Sequence, residues 1–146
     1  MRLRVRYSKK GKVRFTSHRD VARIWERALR RVGLGMAYSQ GFSPRPKLSF
    51  GLALSTGHES EAEFLELELS DEEGEAAGWS TERSVDLAER LTEALPIGLD
   101  VVAVAPVEKG ESLQQAVTSC TWSIEVDGVD MEQMNAWVAD VLARDE

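Results

Sequence analysis

Apolar and polar residues alternate over the first seven positions. Leu3, Val5 and Tyr7 fall on one side and Arg2, Arg4 and Arg6 on the other, the two-residue period of a half-buried strand. Residues 8–12 carry a Lys-Lys-Gly turn signal, and Val13 and Phe15 then resume the apolar phase, which predicts a hairpin or one interrupted strand. The period next changes. Val21, Ile24, Trp25, Ala28, Leu29 and Val32 recur at steps of three and four, and Ser17-His18-Arg19-Asp20 has capping-box spacing. A helix is expected to start there and to end at Gly33 in a left-handed cap.

Residues 36–39 predict a short strand leading into a loop rich in proline and cations. Leu48, Phe50, Leu52 and Leu54 alternate with small residues, and Leu65, Leu67 and Leu69 alternate with Phe64, Glu66 and Glu68, giving two further strands. The acidic stretch 71–78 is expected to be mobile. A helix over 84–95 is stopped by Pro96, and residues 99–105 form a β-rich run. Residues 106–115 read as a polar link. A strand follows over 118–126, around Trp122, Ile124 and Val126, and then a core-packing helix over 130–144. The element order through Ala105 predicts an α+β fold, a ferredoxin-like split βαβ sandwich with an extra short strand. Residues 1–106 make that domain. Residues 107–146 look like the start of a second, incomplete unit or an extension.

The charge distribution changes the picture more than the composition does. At 146 residues, with 42% hydrophobic and 29% charged residues, the chain is an ordinary globular domain with a net charge of −7. Residues 1–50 hold 14 Lys and Arg against Asp20 and Glu26, a balance of +12, whereas residues 51–146 carry −19. An acidic protein with its cations gathered in one third presents a strong local positive field. No apolar run approaches the ~20 residues of a membrane span, so no membrane partner is expected and the chain reads as cytoplasmic. The lone Cys120 excludes an internal disulfide, and two histidines without ligand spacing give no metal site.

The chemistry follows the cations. Arg19, Arg23, Arg27 and Arg31 recur every four residues along the first helix, beside the arginine strand and Arg14. Free amides at a helix start suit phosphate groups. The loop Tyr38-Ser-Gln-Gly-Phe-Ser-Pro-Arg-Pro-Lys47 is stiffened by Pro44 and Pro46. If it folds over that helix start, Ser17, His18, Tyr38, Ser39, Phe42, Arg45 and Lys47 make a cationic pocket with an aromatic ring to stack a base. RNA is the expected ligand. His18 is also a candidate general base for metal-independent RNA cleavage with Tyr38 and Lys47, although helix capping is its simpler role. A rigid connector is the plain reading of the loop, and a solvated face that of the helix stripe.

The runs Arg14-Phe-Thr-Ser-His-Arg-Asp20, Glu26-Arg-Ala-Leu-Arg-Arg31, Ala37 through Phe50 and Glu59-Ser-Glu-Ala-Glu63 resemble the bacterial radical-SAM-linked domain-of-unknown-function family over nearly the whole chain. Members occur beside, or fused to, a cobalamin-binding radical SAM protein. The resemblance therefore implies work on tRNA, rRNA or the ribosome together with such a partner. That partner would carry the iron–sulfur cluster, S-adenosylmethionine and cobalamin. No Cys-x-x-x-Cys-x-x-Cys motif is present here, so none of these cofactors is expected in this chain. Family members usually run on for several dozen residues, which implies a truncated C-terminus. The function expected is a non-catalytic RNA-binding accessory domain, with a His18 endoribonuclease or a protein-docking module as alternatives.

Overall fold

In the computed structural model, residues 1–75, 78–108, 110 and 112–144 are described. Strand β1 (Arg2–Lys9) is followed by a 3-10 turn (Gly11–Phe15) and helix α1 (His18–Val32). Strands β2 (Leu48–Phe50) and β3 (Ser60–Glu68) come next, then the one-turn helix α2 (Asp71–Glu75), helix α3 (Thr81–Ala94), strand β4 (Leu99–Val107) and helix α4 (Met131–Leu142). The chain is thus α+β, with one antiparallel sheet in the order β2-β3-β1-β4.

The alternation in β1 becomes two surfaces. Leu3, Val5 and Tyr7 turn to the helical layer and pack with Leu65, Leu67, Val21, Trp25, Leu29, Leu87 and Leu91 in one core; Tyr7 meets the Trp25 ring edge-on at 4.9 Å. Arg2, Arg4 and Arg6 take the opposite, open face, where register pairs them with Glu68, Glu66 and Phe64 on β3. Helix α1 is capped as its sequence predicts. Ser17 Oγ accepts the Asp20 amide at 3.2 Å and Gly33 adopts φ 71. A second glycine is needed before β4, where Gly98 sits at φ 98 and an added Cβ would lie 2.3 Å from Lys10 O.

Several expectations change. β1 ends in a 3-10 turn instead of a hairpin, and Phe15, expected to resume the apolar phase, is exposed. Residues 36–39 form only the isolated bridges Met36↔Leu69 and Tyr38↔Pro46. β2 stops at Phe50, leaving Leu52 exposed. The acidic stretch forms α2, whose Glu73 pairs with Arg83, and its residues 76 and 77 lie outside the described residues. The predicted strand over 118–126 is not formed: Trp122, Ile124 and Val126 are exposed, because alternation supplies an amphipathic face but no edge to pair with. α4 forms, yet none of its residues is buried, so its expected core-packing role is not met among the described residues. Among those residues, no helix is long and apolar enough to cross a membrane.

Candidate functional site

The cations of the first third divide into tied and untied groups. Arg4 binds one Glu66 oxygen through Nε at 3.1 Å and Nη2 at 2.6 Å, and Arg2 Nη1 reaches the other at 3.2 Å. Glu66 is only 5% exposed despite its charge, and the two guanidiniums are what make its burial tolerable. Lys9 is 2% exposed, and its Nζ donates to Thr16 O at 3.0 Å, joining β1 to the approach of α1. Burial lowers the pKa of that ammonium, with Glu63 acting the other way.

Around the start of α1, Glu59 accepts from Arg14 Nη1 at 2.7 Å and from the Gly11 amide at 2.8 Å. The Arg14 hydrogen bond, then that amide, hold its carboxyl below the ordinary range. Asp20 is lowered in the same way, chiefly by the Ser17 hydroxyl at 2.7 Å and further by Arg23. Arg31 Nη1 donates to Ala94 O at the end of α3. Arg6, Lys12, Arg19, Arg27 and Arg30 are exposed and make no ion pair among the described residues. Arg19, Arg27 and Arg30 lie on α1 away from the core, whereas Arg6 lies on the open sheet face. The sheet therefore separates two arginine sets that sequence had read as neighbours.

The Pro-rich loop is a small hairpin. Ser39 N–H donates to Arg45 O at 2.9 Å, Arg45 N–H to Ser39 Oγ at 3.1 Å and Lys47 N–H to Ala37 O at 2.9 Å. Its tip leaves Phe42 fully exposed and Tyr38 and Arg45 open to solvent, while Lys47 pairs with Glu68 at 3.1 Å. The Met36↔Leu69 bridge ties it to the Leu69 end of β3. Among the described residues no hydrogen bond, ion pair or ring contact joins Tyr38, Ser39, Phe42, Arg45 or Lys47 to Ser17 or His18.

His18 meets Phe50 instead, ring centroids 5.1 Å apart and edge to face. The two rings belong to a groove of about 530 Å³ beside β2, which Arg2, Ser49, Glu66, Leu113 and Gln114 also line. Gln114 and Leu113 carry no sequence signal, since they sit in the polar link; Glu66 could have been inferred from facing an all-arginine strand. His18 has no hydrogen-bonding partner to orient its imidazole among the described residues. Those residues contain no group of three or more His, Cys, Asp or Glu placed to hold a metal ion.

The protein is a mixed α+β one, with a charged open sheet face and exposed arginines along α1. The chain belongs to the family described as uncharacterized protein conserved in bacteria (DUF2344), whose model matches residues 2–146. No curated protein and no solved structure matches the chain.

Proposed function

We propose that this chain is a non-catalytic RNA-binding domain, accessory to a cobalamin-dependent radical SAM protein that modifies RNA or the ribosome. The outer face of α1 carries the RNA-binding part: among the described residues Arg19, Arg27 and Arg30 make no ion pair, although carboxylates are placed against Arg2, Arg4, Arg14 and Arg23. A row of guanidiniums outside any ion pair favours a polyanion. The partner rests on the family resemblance, and the partner's iron–sulfur cluster, S-adenosylmethionine and cobalamin belong with it. The sheet order, with α1 and α3 as the crossover helices on one face, supports reading the fold as ferredoxin-like.

Labelled tRNA and rRNA fragments titrated at two salt concentrations, then run on a denaturing gel, test this function. RNA binds intact and salt-dependently, and a folded Arg19, Arg23, Arg27 to Ala variant loses affinity and about one unit of salt slope per lost phosphate contact. Unchanged affinity in that variant removes the ridge. Cleavage in EDTA that vanishes in His18→Ala makes the protein an endoribonuclease. A second reading, docking onto the partner protein, is favoured by the exposed Met131, Trp137, Val138, Val141 and Leu142 of α4. It predicts association without RNA.

A further inference from the structure

β2 is an edge strand, and two of its three residues point their backbone groups outward. Gly51 N–H donates to Phe64 O at 2.9 Å and Glu68 N–H to Lys47 O at 3.2 Å, so the odd-numbered residues bond to β3 and Leu48 and Phe50 face away. Phe50 O accepts from Gln114 Nε2 at 3.4 Å. The remaining three groups, both of Leu48 and the Phe50 amide, have no hydrogen bond among the described residues. The groove beside this edge has the volume of a small-molecule site, about 530 Å³. Arg2 stands in it with donors left over after its one bond to Glu66. Glu66 brings its own negative charge, but Arg2 and Arg4 together exceed it.

We propose that this groove holds one unpaired nucleotide of a single-stranded RNA, a reading that rests on the RNA-binding function above. Its phosphate meets Arg2, its base lies against Phe50 and Leu113, and its hydrogen-bonding edge meets the free groups of Leu48 and Phe50. A peptide strand is the poorer occupant, because a three-residue edge offers only three free ladder groups. The same groups suffice for one base, and an arginine beside an aromatic and apolar wall matches a nucleotide's two chemistries.

Fluorescence anisotropy with a labelled single-stranded octanucleotide, and with a set each lacking one base, tests the assignment. Ala53 lines the groove and is exposed, so Ala53→Trp fills it from the surface; Ser49→Trp is a second filling variant, and a circular-dichroism melt checks both folds. Each variant weakens binding about tenfold, the stacking loss of one base. One abasic position does the same, and variant and abasic strand together lose no more than either alone. Folded variants that bind as wild type does overturn the groove, assign it to an occupant other than RNA and leave the RNA-binding function standing. Absence of wild-type binding at low salt overturns that function and the groove with it.

Discussion

Glu66 occupies a position that strand alternation alone assigns to water. It faces the open side of the sheet in β3, yet Arg2 and Arg4 close over it from β1, and it becomes one of the few buried charges. Its partners remain 24% and 33% exposed, so the triad contributes less than a fully buried ion pair. Glu66→Gln is expected to lower stability by about 1–2 kcal/mol in urea unfolding. The same substitution releases two guanidiniums on the open face, so low-salt RNA affinity rises while stability falls. A weaker complex would show that the open-face arginines do not meet phosphate.

At the scale of elements, the start of α1 is secured by carboxylates on both sides. Asp20 closes the cap with Ser17, and Glu59 reaches from the end of the long loop to Arg14 and Gly11. Both titrate below the ordinary carboxylate range, so the folded state binds fewer protons than the unfolded chain. Their stabilisation is complete above the unfolded carboxylate pKa values, about 4. It is lost as pH falls through the lower folded ones. Acid unfolding followed by tryptophan fluorescence should therefore become less steep in Glu59→Gln than in wild type below roughly pH 4. An identical profile would mean that the Glu59 contacts do not persist in solution.

For the whole molecule, the sheet is the divider. It puts Arg6 and the Glu66 triad on one side and the α1 ridge on the other, so a ligand touching both must pass around an edge or end of the sheet. The core runs from Leu3 to Val104, with Leu113 buried beside Gly51, and α4 contributes nothing buried. Removing residues 130–146 should leave the urea midpoint and m-value of the remainder unchanged. A fall in either would mean that α4 packs in solution against the body of the protein.

Local rules made much of the fold legible. Helix α1, from its Ser17 cap to its Gly33 stop, depends on contacts within a few residues, and so does the apolar face of β1. Charge segregation was likewise legible in the order of residues along the chain. The Pro-rich stretch could be read as stiff but not located, because the Met36↔Leu69 bridge that sets its end of the sheet spans a gap in sequence that no period encodes. For the same reason His18 found Phe50 instead of Tyr38. Residues 118–126 have strand periodicity but remain unpaired, since a strand exists only where another edge accepts it. Sequence by itself determined which faces are apolar and where the positive charge lies. Only the tertiary structure decided that Arg2, Arg4 and Arg14 are neutralised and which residues line the groove, because these contacts join residues far apart in sequence.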